Sequence, residues 1–478
     1  MISYDLSKRG DLPRYQYLYT RIREDITNGR LRPDERMPSK RRFAEVLNVS
    51  VNTVMTAYDL LVAEGFLYTI EKKGYFVSRL HYVVPKADKK PMAPPDPPED
   101  SHWFMDFRAS HAPLQLFPAS LWAKCMREAI GVSDSTLMST VSWRGMRVLR
   151  EAIAAELADH RGMTRVCPEQ IVVGAGTEYL YSRLMQILGT NLTIASADTG
   201  ASKFAQIAQN HGHHWRYFPI DEKNLRVDSI IQAPVDVVQL SPANLFPYGT
   251  TMPIDRRIAF FEWANAKKGR WIIEDDYDAE FCFVPAGHRS MFSEDAQDKV
   301  IYLNTFSKTM VPSLRISYMV LPPALLKRYE DTVSFYACSV SSFEQYALAL
   351  FINRGYYERH LFRLLKHYRR LRAAILDEIR HSAVLSDIAE VADFGVGTHF
   401  LMTVRTDLSE GEILSRATAK SLRFHYFHPL NQRPPAGCVQ IIINFASIDA
   451  ANVHAVFERL AAIFGSSRKL GGLTPNKW

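Results

Sequence analysis

The sequence of 478 residues has no uninterrupted apolar run near the roughly 20 residues of a membrane-spanning helix. Its first residues lack the basic and apolar regions of a signal peptide. Cysteine is scarce and forms no C-x-x-C pair, which argues against zinc and disulfide sites; the five are Cys125, Cys167, Cys282, Cys338 and Cys438. No internal repeat is present. We therefore expect a cytoplasmic protein with reduced thiols and no metal site.

The length and the charge are informative. A chain of this size is too long for one compact core, so about three domains are expected. The net charge of +7 is compatible with a polyanionic partner. The first 80 residues hold 14 Lys and Arg against 10 Asp and Glu, so +4 of this charge lies in a sixth of the chain.

The N-terminal segment predicts three helices and a hairpin. Apolar residues recur at helical spacing over 15–26. Ser39 is placed to cap a second helix over 40–47, and Ser50 is placed to cap a third helix that ends near Gly65. The hairpin follows, with strands expected at 66–70 and 75–77 and a basic turn between them. This order is typical of a winged helix-turn-helix.

The stretch MPSKRRFAEVLNVSVNTVMTAYDLLVAEGFLYTIEKKGYFV, residues 37–77, resembles the GntR-type winged helix element for element. The resemblance implies that the start of the third helix enters the major groove of DNA and that the wing contacts the backbone or minor groove. The arginines would set the register on phosphates, and Asn52 would read a base edge. The residues assigned to DNA are Ser39, Arg41, Arg42, Ser50, Asn52, Thr53, Lys72 and Lys73.

Residues 81–105 are the expected linker. Six prolines, interleaved with Lys, Asp and Glu, favour extended polyproline-like conformations and cannot build a core. At about 3.1 Å per residue, the segment 83–100 reaches up to ~55 Å. That reach would allow the DNA-binding head to pack on a partner subunit.

From Asp106 onwards, strand-like apolar runs alternate with amphipathic helices, which predicts an α/β domain. The strand 171–173 leads through Gly174-Ala175-Gly176-Thr177 into a helix that begins near Tyr179. Free N–H groups at such a helix start favour an anion. A later strand, expected over 271–278, ends in acidic residues, which is the expected ligand side of a parallel sheet.

The most informative motif is NTFSKT, residues 304–309, which contains Lys308 and precedes Arg315. The lysine amine can form a Schiff base with an aldehyde, while Thr305, Ser307 and Arg315 can hold a phosphate beside it. Pyridoxal 5'-phosphate (PLP) needs both functions. The pyridine nitrogen of PLP requires a buried carboxylate, for which Asp275 is the candidate, and Tyr277 is the candidate partner of the ring phenolate.

Four segments match the pattern of the MocR/GabR-type transcriptional regulators: DFRASHAPLQLFP (106–118), IVVGAGTEYL (171–180), IIEDDYDAEF (272–281) and NTFSKTMVPSLRISYMVLP (304–322). The chain from about residue 10 to 465 thus resembles this family. The resemblance implies an N-terminal winged helix-turn-helix (10–80) joined to an α/β PLP-dependent transferase fold of the type I aminotransferase kind (106–478), whose small subdomain starts at about 355.

The family further implies PLP as cofactor, double-stranded DNA as partner, and a domain-swapped, head-to-tail homodimer. PLP, or an amino compound bound to it, would alter the spacing or orientation of the two heads on DNA. The cofactor contacts carried over are Lys308, Asp275, Tyr277, Ala175, Gly176, Thr177, Asn244, Thr305, Ser307 and Arg315.

Three departures from the family concern the effector. Ala201 stands where relatives usually have a tyrosine that stacks on the PLP ring, although Lys203 keeps the basic charge. The strand 439–444 lacks the arginine that often binds a carboxylate. Phe246 replaces an asparagine before proline, and Asn244 is available as its substitute. We therefore expect an effector sensor with no catalytic residues and no sustained amino transfer.

Two other functions fit the sequence. One is a PLP-dependent aminotransferase whose head serves only for dimerisation, which detectable amino transfer to a keto acid would support. The other is a DNA-binding dimer whose body has lost PLP, which a colourless purified protein would support. A separate histidine group, His211, His213 and His214, has no acidic partner nearby and is interpreted as a polar turn between a helix and a strand.

Overall fold

The computed structural model of the protein describes residues 3–79, 103–108, 114–132, 135–199, 202–221, 224–225, 227–283, 289–429 and 436–465. The chain divides into two compact units, residues 1–100, here called the head, and residues 101–478, here called the body. Most of the predicted linker and position Ala201 lie outside the described residues, as does part of the segment 106–118.

The head contains three α-helices and one hairpin within its described residues. They are α1 (Arg14–Thr27), α2 (Lys40–Leu47), α3 (Val51–Ala63), β1 (Leu67–Ile70) and β2 (Gly74–Val77), with a short 3-10 helix (Leu6–Arg9) before them. This is the winged helix-turn-helix that the sequence predicts.

Serine caps set the starts of α2 and α3. Ser39 Oγ accepts a hydrogen bond from the Arg42 N–H at 3.3 Å, and Ser50 Oγ accepts one from the Thr53 N–H at 3.1 Å. α2 ends at Asn48, whose φ of 50° is left-handed, a conformation that asparagine tolerates. The two helices are bent by 119° with respect to each other.

Aromatic packing joins the wing to the helices. The ring of Tyr58 on α3 lies 6.0 Å from that of Phe43 on α2 and 4.9 Å from that of Tyr75 on β2. The Tyr58 hydroxyl donates a hydrogen bond to the Pro38 carbonyl at 3.0 Å. Among the described residues, no single helix has the length and apolarity to cross a membrane, and the bent pair α2 and α3 meets the test only when taken together.

The strands of the body are β3 (Met105–Asp106), β4 (Ile171–Gly174), β5 (Thr193–Ala197), β6 (His214–Phe218), β7 (Ile220–Asp221), β8 (Asn224–Leu225), β9 (Val237–Leu240), β10 (Trp271–Asp275), β11 (Val300–Thr305), β12 (Ser317–Val320), β13 (Ala389–Ala392), β14 (His399–Arg405), β15 (Leu422–Arg423), β16 (His425–Tyr426) and β17 (Cys438–Asn444).

The α-helices of the body are α4 (Ala119–Gly131), α5 (Ser135–Met138), α6 (Arg147–Arg161), α7 (Thr177–Leu188), α8 (Lys203–Asn210), α9 (Val227–Ile231), α10 (Ile254–Asn265), α11 (Met291–Glu294), α12 (Pro323–Val333), α13 (Ser342–Asn353), α14 (Tyr356–His381), α15 (Leu385–Ile388), α16 (Glu410–Ala419) and α17 (Val453–Phe464). Short 3-10 helices lie at Leu114–Leu116, Pro168–Gln170, Pro312–Leu314 and Ala450–Asn452.

A seven-stranded sheet in the order β4-β12-β11-β10-β9-β5-β6 forms the large lobe of the body. β12 runs antiparallel to its two neighbours, and the other pairs are parallel. Both faces are covered: Val172 of β4 packs with α7, whereas Ile171 and Val173 pack with α6 and α13. Because β4, β9, β10 and β11 run in one direction, their carboxyl ends meet at the same edge of the sheet.

A four-stranded antiparallel sheet, β13-β14-β17-β16, forms the small lobe together with α14, α16 and α17. Its core also takes Met105 and Phe107 from the start of the body. Met105 pairs with Leu422 of β15 in a two-stranded parallel sheet. Met105, which the sequence assigned to the linker, therefore belongs to a strand, and the small lobe includes chain from before the predicted boundary at 355.

Candidate functional site

A cavity of about 410 Å³ lies at the carboxyl edge of the large sheet. Lys308, Asp275 and Tyr277 line it together, as the sequence motifs predict; Asp275 lies at the end of β10 and Tyr277 just after it, and Lys308 follows β11. Lys308 Nζ lies 5.9 Å from the centre of the Tyr277 ring. A larger cavity of about 870 Å³ includes none of these three residues in its lining. The smaller cavity is therefore the candidate site, because it contains the reactive groups.

Asp275 ends β10 and is buried. Its Oδ2 accepts hydrogen bonds from the Tyr181 hydroxyl at 3.5 Å and from Gln239 Nε2 at 3.4 Å. Its Oδ1 has no hydrogen-bond partner among the described residues. Burial, followed by repulsion from Asp276, raises the pKa of Asp275 to about 7. A cationic partner at Oδ1 would stabilise the ionised carboxylate and lower its pKa again.

Lys308 is held in a buried environment that lowers the pKa of its amine, and the nearby carboxylate of Asp278 acts in the opposite direction. A lowered pKa increases the fraction of neutral amine, which is the nucleophilic form. The hydroxyls of Tyr277 and Ser307 are buried, and neither has a hydrogen-bond partner within the described part of the chain. These two hydroxyls are therefore available for a further hydrogen bond each.

Asn244 is buried and contacts Asp278, but it is not part of the lining of the cavity that contains Lys308. Its Nδ2 donates a hydrogen bond to Asp278 Oδ2 at 2.7 Å. Burial raises the pKa of Asp278 to about 7, against the opposing effects of Lys308 and of this hydrogen bond. Gly397 has a φ of 76°, and a Cβ there would lie 2.4 Å from Asn244 Nδ2. A side chain at position 397 would therefore displace the asparagine.

The small-residue turn after β4 lies against Arg315. Gly176 has a φ of 95°, and a Cβ there would lie 2.3 Å from Arg315 Nη2, so glycine is required by conformation and by space. Thr177 begins α7, and the N–H of Ala175 donates to Ser339 Oγ at 2.9 Å. The structure thus brings Arg315 next to the predicted anion-binding turn, residues 174–177, here called the cradle.

Glu178, which the sequence did not single out, directly follows the cradle in the chain and lines the cavity. Its Oε2 accepts a hydrogen bond from Arg315 Nη2 at 2.7 Å, and its Oε1 accepts one from Lys203 Nζ at 3.1 Å. Burial would raise the pKa of Glu178, but hydrogen bonds from its own N–H, Arg315 and Lys203 outweigh burial and lower it to about 2. Its position next to the cradle sequence is the signal that could have identified it.

Thr305 has a different surrounding from that expected. It lines the larger cavity rather than the one that contains Lys308. Its Oγ1 accepts hydrogen bonds from the Ser317 hydroxyl at 2.8 Å and from the Ser307 N–H at 3.1 Å. Thr305 therefore shapes the turn that presents Ser307 and Lys308.

His399 is a cavity residue that sequence reasoning missed. It begins β14, its ring centre lies 4.8 Å from that of Phe246, and its Nε2 has no partner in the described residues. Burial and the nearby Lys308 lower the pKa of His399 to about 3, so the imidazole is neutral. Asn444 of β17 also lines the cavity. No local motif connects either residue to Lys308, because both come from the small lobe.

The unpartnered polar atoms fit PLP. Asp275 Oδ1 and the Tyr277 hydroxyl line the cavity with Lys308 and suit a protonated ring nitrogen and a phenolate oxygen. The Ser307 hydroxyl, beside Lys308 in the sequence, suits a phosphate oxygen. Arg315 is paired with Glu178 and lies outside the cavity lining. The groups next to Lys308 therefore fit the ring of this cofactor.

The head exposes its predicted DNA-binding cations. Arg41 and Arg42 at the start of α2 and Asn52 at the start of α3 are exposed, as are Lys72 and Lys73 on the wing. Ser39, Ser50 and Thr53 are engaged in helix capping, including a 2.8 Å contact between the hydroxyls of Ser50 and Thr53. These three residues therefore have a structural role whether or not they also contact DNA.

The histidines near residue 212 have partners within the protein. The buried His213 accepts the Leu192 N–H at Nδ1 at 3.3 Å, and its Nε2 lies 3.1 Å from the Met185 carbonyl oxygen. His211 and His214 each contact a neighbouring polar side chain. His211 and His213 lie in the turn between α8 and β6, and His214 begins β6. No group that could hold a metal ion occurs in the described ranges.

Comparison with known proteins identifies both units. Residues 14–77 match the gntR family of bacterial regulatory proteins, and residues 116–395 match aminotransferase class I and II. The uncharacterized HTH-type transcriptional regulator YdeL of Bacillus subtilis (strain 168) is 31% identical over 461 residues, with 96% of this chain and 98% of that protein covered. The probable rhizopine catabolism regulatory protein MocR of Rhizobium meliloti is 28% identical over 489 residues, with 98% and 97% covered.

Among solved structures, the Pyrococcus horikoshii kynurenine aminotransferase matches with a TM-score of 0.67 at 20% identity, covering 78% of this chain and 93% of that one. The protein is thus a DNA-binding regulator that carries an aminotransferase-fold body. It belongs to the MocR/GabR-type family of HTH-type transcriptional regulators, as its sequence motifs predicted.

Proposed function

We propose that this regulator binds PLP at Lys308 and that PLP, or an amino compound entering the same cavity, modulates its binding to a DNA operator. The observation that supports this function best is the set of buried, unpartnered polar atoms around the lysine, on Asp275, Tyr277 and Ser307. Bound there, PLP supplies an electrophilic aldehyde that reacts with amines.

The residues have distinct roles in this proposal. Lys308 acts as the attachment point, and its lowered pKa favours the reactive neutral amine. Asp275 stabilises positive charge on the ring nitrogen, and Tyr277 donates a hydrogen bond to the ring oxygen. Arg315 binds the phosphate together with the backbone N–H groups at the start of α7.

The proposed role is sensing rather than amino transfer. β17 carries Asn444 in the cavity and no arginine in the strand, so the usual cation for a substrate carboxylate is missing from this strand. The neutral His399 does not replace it. Arg108 lines the cavity but is paired with Asp106, so we infer that a bound amino compound lacks one of the contacts that orient it for proton transfer. We further propose that the protein acts as a homodimer whose heads are exchanged between subunits.

Trapping the cofactor tests the attachment residue. The full-length protein mixed with PLP should become yellow, and borohydride should fix PLP to Lys308, as identified by peptide mass spectrometry. Lys308→Ala should abolish both signals without unfolding the protein, because the amine lies at a cavity rather than in an apolar cluster. The exposed Lys327→Ala is the matched control. Fixation on another lysine would show that the assignment is wrong.

Operator binding tests the regulatory link. The affinity for operator DNA should change when PLP or an amino compound is added to the wild type, and should not change for Lys308→Ala. An equal change in both proteins would place the sensing elsewhere.

A further inference from the structure

The start of α7 has a property that the proposed cofactor role does not explain. The groups suited to a phosphate, which are Arg315, Lys203 and the helix N-terminus, already hold an anion that belongs to the chain. That anion is the carboxylate of Glu178, the second residue of α7. It is also hydrogen-bonded to its own backbone N–H.

Arg315 lies beside both the cradle and Glu178. It has a left-handed φ of 52°, and its half-exposed guanidinium lies against the turn at Gly176. In this position its Nη2 is 2.7 Å from Glu178 Oε2. A phosphate that used Arg315 would have to share it with Glu178 or displace the carboxylate.

Charge makes sharing unfavourable. The two cations and Glu178 sum to one positive charge, whereas a phosphate ester carries up to two negative charges. A phosphate next to an ionised carboxylate experiences like-charge repulsion, which is strongest where water is partly excluded. Glu178 lines the same cavity as Lys308, so the two anions compete at the cofactor site itself.

We propose that Glu178 competes with the phosphate of PLP for Arg315 and Lys203, so that the cofactor is exchangeable rather than permanently bound. This inference rests on the proposed binding of PLP at Lys308. Exchangeable binding makes the occupancy of the site follow the free concentration of PLP. The regulator then responds to the supply of the cofactor as well as to any amino compound.

Removing the charge of Glu178 tests this proposal. Glu178→Gln keeps the size of the side chain, and it should increase the affinity for PLP by about tenfold or more because the repulsion is lost. It should leave the affinity for pyridoxal, which has no phosphate, unchanged. Glu178→Asp, which keeps the charge, should show no such gain. Glu151→Gln is the matched control, since Glu151 also pairs with an arginine, at 2.7 Å, but does not line the cavity.

The experiment is an absorbance titration of each full-length protein with PLP and with pyridoxal, and Glu178→Ser is a second uncharged variant in case the glutamine variant does not fold. A gain for PLP alone supports the competition. Equal PLP affinities in wild type and uncharged variants, or equal gains for both aldehydes, overturn it while leaving the proposed function intact. If none of the proteins binds PLP, the proposed function itself is wrong and this inference is wrong with it.

Discussion

At the scale of single residues, β10 and the segment after it carry carboxyl groups that are kept away from water, of which Asp275 and Asp278 line the cavity with Lys308. Four of them have a pKa raised to about 7, mainly by burial; they are Glu274, Asp275, Asp278 and Glu280. Glu274 is satisfied by the Ser290 hydroxyl at 2.7 Å and by two backbone N–H groups. Asp275 keeps one oxygen with no hydrogen-bond partner among the described residues, so its burial is less well compensated than that of Glu274.

These raised pKa values predict how stability depends on pH. Unfolded carboxyls titrate near pH 4, so between about pH 4 and pH 7 the folded protein binds more protons than the unfolded chain. Its free energy of unfolding should therefore fall as the pH rises through this window. Asp275→Asn removes one such group and should make the fall shallower by up to about 1.4 kcal/mol per pH unit.

Thermal or denaturant unfolding of the full-length protein at several pH values measures this slope. The exposed Asp407→Asn provides the control and should keep the slope of the wild type. An Asp275→Asn slope equal to that of the wild type would contradict the raised pKa.

The residues that sequence could identify are those next to a recognisable motif. Lys308, Asp275 and Tyr277 follow strands, so the topology of a parallel sheet brings them to one edge. His399 could not be found in this way, because it reaches the cavity from another lobe, through packing over long sequence separation. Thr305 was predicted to hold a phosphate because it lies in the NTFSKT motif. Its hydroxyl instead contacts Ser317 of the neighbouring strand, and a motif alone does not show such a contact.

At the scale of elements, local chemistry determined the head more completely than the body. Ser39 and Ser50 mark the starts of two helices, so the predicted range 40–47 agrees with α2 residue for residue. In the body, the strand expected at 171–173 extends to Gly174, and the helix expected near Tyr179 begins at Thr177. The start of this helix has no side-chain cap, so no capping residue in the sequence marks it.

The serine cap of α3 gives an element-scale prediction. Ser50→Ala removes the hydrogen bond to the Thr53 N–H and should cost about 1 kcal/mol of helix stability. Amide exchange within α3 of the full-length protein should accelerate by about fivefold, and the peptides of the body provide an internal control. Unchanged exchange in α3 would mean that the packing of Tyr58 alone holds the helix.

Substitutions in α2 and α3 should affect DNA binding in different ways. Arg42→Ala should weaken binding about equally on all sequences and reduce the salt slope by about 1, because a phosphate contact is lost. Asn52→Ala should cost about 1–3 kcal/mol on the operator and little on random DNA. Arg30→Ala, which removes an exposed arginine paired with Asp25 at 3.3 Å, is the control of equal charge. If neither Arg42 nor Asn52 affects binding, these helices do not read DNA.

At the scale of the whole molecule, the body has the fold of aminotransferases. An activity assay can show whether it also catalyses amino transfer. We expect the PLP-loaded protein to show no sustained amino transfer, since the strand that would supply the carboxylate-binding arginine has none. Steady-state assays with amino acids and keto acids, with Lys308→Ala as the blank, measure this. A rate near 1 s⁻¹ or above, within the ordinary enzyme range of roughly 1–1000 s⁻¹, would identify an aminotransferase instead.

The pairing of β3 with β15 determines which lobe of the body receives the chain from the head. The chain that arrives from the head is anchored at Met105 to the small lobe, not to the sheet that carries Lys308. The same lobe contributes His399 and Asn444 to the cavity wall. One lobe therefore holds both the first strand of the body and part of the cavity wall.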